Sequence, residues 1–192
     1  MGGHSLVEAQ AMRPGTFAGL LLVDPTIFPP ERYRTPPFDA SFIRRRRNQW
    51  TSPEEMFDRF RGRETFAGWD EEVLRDYCTY GLLPSGDGLM LACPPEVEAS
   101  IYEHSAEPQA DLYALIPNIT QPVTVMRAGV KYKPGVLTLG GSPTAPDLAQ
   151  KFPNGRDILL ADRNHYIPME CPDLVVQQLV QLSAYGSMTS GT

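Results

Sequence analysis

Three short apolar runs constrain the fold of this chain more than any other feature: "FAGLLLVDP" from Phe17, "PVTVMRAG" from Pro122 and "RDILLAD" from Arg156. The first is apolar at successive positions rather than alternate ones and is bounded by turn residues. That pattern predicts a strand buried on both faces. Such strands belong in a parallel sheet sandwiched between helices, so the fold class is α/β. Helical segments stand where that arrangement needs them. "LVEAQAMR" predicts a short helix beginning at Leu6 and ended by Pro14-Gly15; "APDLAQKFPNG" reads as helix and turn, and "PDLVVQQLVQLSAY" as an amphipathic closing helix. Residues 186–192 read as a disordered tail. Three strands are few for such a sheet.

Between the first two strands lies a proline-rich excursion, residues 30–117, that reads as helical. "SPEEMFDRFRG" carries Ser52 as N-cap, Pro53 at the first helical position and Glu55 in capping-box spacing. "WDEEVLRDYCTYGLL" is capped by Asp70 and ends near Gly81, with Val73, Leu74, Tyr77 and Tyr80 expected on one face. "EVEASIYEHSA" reads as a third helix. The run Arg44–Arg47 is expected to be a solvated face, with an import signal or an anion-binding patch as alternatives. Phe57, Phe60, Phe66, Trp69 and Tyr77 read as a small local core, the alternative being the lining of a hydrophobic substrate tunnel.

At 192 residues, 42% hydrophobic and 21% charged, the chain suits one domain with a genuine core. A net charge of −6 argues against a general nucleic-acid binder. The cysteines Cys78, Cys93 and Cys171 are odd in number and lack metal-ligand spacing, which fits free thiols in a reducing compartment. No apolar run approaches the roughly 18 residues of a membrane span, and the start is not signal-like. The expectation is a soluble cytoplasmic protein, its oligomeric state left open.

The chain opens "MGGHSLVEAQAM", and Gly3-His4-Ser5-Leu6 is followed in order by a helix, a strand ending in "LVDP", a helical excursion, two further strands and "NHYIPMECPDLVVQQL". That order resembles the second part of an α/β-hydrolase. The phrases "RRRRNQW", "WDEEVLRDYCTYGL" and "CPPEVEASIYE" resemble a fungal, lid-bearing branch that includes peroxisomal lipase-like and toxin-biosynthesis hydrolases. The resemblance implies a parallel sheet with helices on both faces and a helical lid at 30–117, the first four strands of the full domain being absent. It also implies Ser5 as nucleophile on a sharp strand-to-helix turn, with Gly3 as one small neighbour. Val7 departs from the pattern, standing where a second small residue is usual. His165 is the implied base. His4 is expected to point away from the serine, and His104 to be exposed or to cap a helix end.

The acid usually follows the second of the three strands, in the loop "VKYKPGVLTLGGSPTAPDLAQ", whose one carboxylate is Asp147. Some relatives take it from the end of the strand after the nucleophile helix, where this chain has Asp24. Asp24 is the first choice and Asp147 the second; either would hold the imidazole in its productive tautomer. The Leu6 amide is the implied oxyanion donor, and its usual partner donor comes from strands the sequence does not contain. The reading is therefore a serine hydrolase of an ester or thioester of a hydrophobic small molecule, without cofactor or metal, and inactive as this chain stands. The alternatives are a non-catalytic remnant or binding protein on the same scaffold, and a cofactor-free lyase or perhydrolase. The family branch has peroxisomal members, but the terminal Ser-Gly-Thr does not resemble a peroxisomal targeting tripeptide.

Overall fold

The structure is a computed structural model that describes residues 1–130 and 140–189, with side chains as far as residue 184. Its helices and strands are, in chain order, α1 (Gly2–Met12), β1 (Leu20–Val23), α2 (Ser41–Arg44), β2 (Gln49–Trp50), α3 (Pro53–Phe60), α4 (Glu71–Tyr80), β3 (Leu82–Ser85), β4 (Gly88–Leu91), α5 (Pro95–His104), β5 (Val123–Ala128), β6 (Gly155–Leu160), α6 (Ile167–Glu170) and α7 (Pro172–Thr189). The chain divides into two compact units: Met1–Thr35 with Glu107–Thr192, and Pro36–Ala106.

In the first unit the three apolar runs form one parallel sheet in the order β1-β5-β6. The register runs from Leu20 opposite Val123 to Val23 opposite Met126, and from Val123 opposite Gly155 to Ala128 opposite Leu160. Successive side chains of a strand point to opposite faces, and here both faces are covered. Leu20, Leu22, Val123 and Val125 pack with Val7 of α1 and with Leu148, Ala149 and Phe152. Leu21, Val23, Met126, Ala128, Ile158 and Leu160 pack with Ile167 of α6, Cys171, and Leu174 and Val175 of α7. This is why the first run is apolar without alternation, and it gives the expected α/β sheet with helices on both sides.

Three local expectations are corrected. Helix α1 begins at Gly2, not at Leu6, because a stripe of His4, Val7 and Gln10 is buried from its first turn onward. Gly3 lets that turn approach the sheet: a Cβ there would lie 2.6 Å from Pro25 Cβ. The segment "APDLAQKFPNG" forms only a 3₁₀ turn, Leu148–Lys151, with Asp147 as its N-cap residue. Helix α7 continues to Thr189, through positions expected to be disordered; residues 190–192 lie outside the described residues.

The second unit holds the expected helices and also a three-stranded antiparallel sheet, order β2-β4-β3, that the helical reading of the excursion missed. Strands β3 and β4 are joined by the two-residue loop Gly86–Asp87, a composition typical of tight hairpins. Ser52 Oγ accepts the Glu55 N–H at 3.1 Å, as a capping box requires. The Glu55 carboxylate, however, reaches one residue further back, to the Thr51 N–H at 2.9 Å. Asp70 Oδ1 accepts from Glu72 N and Val73 N at 2.8 and 3.3 Å, capping α4.

Trp50, Met56, Phe57, Phe60, Leu74, Cys78, Leu82 and Leu91 form the core of this unit, with Phe66, Trp69 and Tyr77 packed against it. Phe60 and Phe66 stack at 4.5 Å between centroids, and Trp69 meets Phe66 edge-on at 5.0 Å. The aromatic cluster is therefore internal packing. Tyr80 is not on the buried face: it is 78% exposed, and Cys78 takes the inward position. Six residues beyond Leu74, at about 100° per residue, Tyr80 is turned some 120° off that face.

The arginine run is not free for an external anion at three of its four positions. Arg44 Nε donates to Glu96 at 2.9 Å and Nη2 to Glu103 at 2.7 Å. Arg46 pairs with Glu98, and Arg47 pairs with Glu55 at 2.6 Å while lying 4.2 Å over the Trp50 ring. These pairs tie α2 and the segment after it to α5 and α3.

Leu22 is fully buried in the sheet. Leu22→Ala is expected to lower stability by about 2–5 kcal/mol, and Tyr80→Ala by less than about 0.5 kcal/mol. Urea unfolding curves of the two variants check both.

Candidate active site

Asp24 and His165 meet at the carboxyl end of the parallel sheet. Asp24 follows the last residue of β1 with φ +40°, a left-handed conformation unusual for a residue other than glycine though tolerated by aspartate. That turn aims its carboxylate across the ends of the neighbouring strands. Asp24 is 1% exposed. Its Oδ2 accepts from His165 Nδ1 at 2.7 Å. Its Oδ1 accepts from the Ala128 N–H at the end of β5 (3.0 Å), from Ser142 Oγ (2.6 Å) and from Thr144 Oγ1 (3.2 Å). A buried carboxylate so enclosed is well compensated.

His165 lies in the loop after β6. Its backbone N–H donates to the Gly140 carbonyl at 2.9 Å. Its neighbour Asn164 accepts the Tyr166 N–H at 2.7 Å and donates to Glu170. The loop is also pinned to β5, because the Arg163 carbonyl accepts from Gly129 N and Val130 N, both at 3.1 Å. The His165 side chain is 32% exposed. A carboxylate only accepts, so Nδ1 carries a proton, and in the neutral imidazole Nε2 is left with its lone pair. Among the described residues Nε2 has no hydrogen-bond partner. An imidazole held in this way can serve as a general base oriented by a carboxylate.

Asp147, the second candidate acid, is elsewhere occupied. It pairs with Lys151 at 2.8 Å, one turn along, and the lysine holds its carboxyl below the usual range. No hydrogen bond joins Asp147 to His165. Of the loop expected to carry the acid, residues 131–139 lie outside the described residues.

Ser5 closes the first turn of α1, a helix whose start packs on the segment after Asp24: Gly3 against Pro25, and the Met1 amino group donating to Thr26 Oγ1 at 3.2 Å. Ser5 is exposed, and among the described residues no hydrogen bond joins it to His165. The Ser5 N–H donates to the Met1 carbonyl at 3.2 Å. By the same helical spacing the Leu6 N–H faces the Gly2 carbonyl. His4 points away, its Nε2 donating to the Ala110 carbonyl at 2.9 Å, and His104 Nδ1 donates to the Ser100 carbonyl at 2.7 Å near the end of α5. Val7 is fully buried in the core between α1 and the sheet.

Sequence reasoning missed Ser142 and Thr144. That loop offers a carboxylate in Asp147, but what it contributes to Asp24 is hydroxyls. Among the described residues no group of three His, Cys, Asp or Glu side chains is arranged to hold a metal, and no helix is long and apolar enough to cross a membrane. Cys78 is buried in the second unit, which pushes its thiol up to about 11; burial raises the Cys171 thiol as well.

No protein-family model and no curated protein sequence matches the chain. Solved structures do. The peroxisomal alpha-beta-hydrolase Lpx1 from Saccharomyces cerevisiae superposes with a TM-score of 0.76 at 13% identity, over 99% of this chain and 53% of that one. The thioesterase domain from the curacin biosynthetic pathway gives 0.62 at 10% identity, over 95% and 63%. A thermophilic esterase from Thermogutta terrifontis gives 0.57 at 20% identity, over 96% and 62%. The chain thus spans between 53% and 63% of the length of these neighbours. At such identities the likeness is one of fold, and the fold is that of the α/β-hydrolases.

Two outcomes are expected. Asp24→Ala strands buried donors and is expected to cost about 1–3 kcal/mol or more, whereas Asp147→Ala removes a half-exposed pair and stays within about 1 kcal/mol; thermal unfolding separates them. A maleimide at pH 8 is expected to label exposed Cys93 and to spare Cys78 until the protein unfolds, as peptide mass mapping will show.

Proposed function

We propose that this chain carries the machinery of a serine hydrolase acting on an ester or thioester of a hydrophobic small molecule. The observation that carries the reading is the 2.7 Å contact between buried Asp24 and His165, at the end of the sheet against which α1 starts. Ser5 is the nucleophile, His165 the general base and Asp24 the group that orients it. Ser5 Oγ attacks the carbonyl carbon as its proton passes to His165 Nε2, and the departing alkoxide or thiolate takes that proton. Water then repeats the sequence on the acyl-enzyme and regenerates Ser5. We read the excursion 30–117, whose compact part is Pro36–Ala106, as the lid insertion of a lipase-like enzyme, and the cytoplasm as its location.

Leu6 is the oxyanion donor in this reading. To serve, its amide must exchange the Gly2 carbonyl for the developing oxyanion. An amide that stays in the helix leaves the oxyanion one donor short, which costs on the order of a hundred- to a thousandfold in rate, so turnover is expected to be slow. That same engaged amide favours the second reading, a non-catalytic binding protein on the hydrolase scaffold.

A fluorophosphonate probe decides between them. Labelling is expected at Ser5, abolished in Ser5→Ala, and slowed about a thousandfold or more in His165→Ala and Asp24→Asn. A folded chain that takes no label at Ser5 would be the binding protein. A panel of acyl esters and thioesters of increasing chain length then tests the apolar preference.

A further inference from the structure

We infer that Ser142 is the positioning residue that sets the acid of this site, an inference that rests on the reading of Asp24 and His165 as a catalytic pair. The three donors to Asp24 Oδ1 are not equivalent. Thr144 has one hydroxyl proton, and its shorter contact is to the Pro25 carbonyl at 2.7 Å, against 3.2 Å to Asp24. The Ala128 N–H is fixed by the strand at 3.0 Å. Ser142 Oγ makes the shortest contact, 2.6 Å, and itself accepts the Thr144 N–H at 3.3 Å. With a lone pair already engaged, its single proton is directed at the carboxylate.

The backbone around Ser142 makes this more than a surface contact. The Ser142 N–H donates to the Val130 carbonyl at 2.8 Å, the Gly140 carbonyl receives the His165 N–H at 2.9 Å, and the Ala145 N–H donates to the Ile27 carbonyl at 2.9 Å. One short segment therefore grips the end of β5, the turn after β1 and the loop of the base. Through the Ser142 side chain it holds the acid as well. A carboxylate is free to rotate and exchange its oxygens. Ser142 pins Oδ1, so that Oδ2 alone is presented to His165 Nδ1, and the imidazole is fixed as the Nδ1–H tautomer with Nε2 facing outward.

The test is a long-range ¹H–¹⁵N correlation spectrum of the full chain with ¹⁵N-labelled histidine, which reads each ring's tautomer separately. In the wild-type protein His165 is expected to be predominantly Nδ1–H. Ser142→Ala is expected to raise the minor Nε2–H form by about tenfold or more. Ser142→Thr, which keeps the hydroxyl, restores the wild-type ratio, and Thr144→Val moves it less than Ser142→Ala does. Unchanged His4 and His104 signals establish that a variant is folded; if Ser142→Ala is not, Ser142→Cys, with its weak donor, is expected to fall between the two forms. A wild-type ratio in Ser142→Ala, or in Ser142→Cys where that replaces it, overturns the inference, provided that Asp24→Asn shifts the ratio. If Asp24→Asn leaves the spectrum unchanged, it is the dyad itself that fails.

Discussion

A carboxylate shut away from solvent must find its hydrogen-bond donors inside the protein, and the Asp24 carboxylate finds them on three separate segments. The end of β5 offers a backbone N–H, the segment 140–145 offers hydroxyls, and the loop after β6 offers an imidazole. Each donor lies at or beyond the carboxyl end of a strand in the same parallel sheet, where α/β folds gather their functional groups. The unusual backbone conformation at Asp24 is the local cost of turning the side chain into that position. Register matters for the same reason. Were β5 to slip by one residue against β1, the Ala128 N–H would face away from Asp24 and every core side chain would change sides.

The Asp24–His165 pair is thus well enclosed, whereas the surroundings of Ser5, the proposed nucleophile, are organised by packing. Helix α1 starts at Gly2 because His4, Val7 and Gln10 face the core. The consequence is a helical hydrogen-bond ladder that already includes the Ser5 and Leu6 amides. A β-branched Val7 suits this helical, buried position well. The same residue departs from the sharp strand-to-helix turn that a reactive serine uses. Packing and chemistry therefore make different demands on the same first turn.

The second unit shows another balance. Its core is aromatic and compact, and its charges are internal fastenings. Arg44 and Arg46 reach the acidic residues of α5, so that a run of four arginines, expected from the sequence to be a solvated face, mostly completes ion pairs within the unit. The pairs are partly shielded and in part multiply bonded, the geometry in which such contacts do hold elements together.

The sequence by itself determined the parallel sheet, through runs apolar at successive positions. It determined the capped helices α3 and α4, through Ser52, Pro53 and Asp70, and the candidates Asp24 and His165, through their places after strands. These are signals carried by a few neighbouring residues. What only the tertiary structure decided is how distant pieces meet: that Asp24 and not Asp147 faces His165, that Ser142 completes the carboxylate's surroundings, and that the excursion contains a sheet of its own. The contacts that bring these candidate residues together join partners 104, 118 and 141 positions apart. No local pattern encodes such separations. They arise because a parallel sheet brings the ends of sequence-remote strands together, and because a buried carboxylate takes whichever donors the packing leaves within reach.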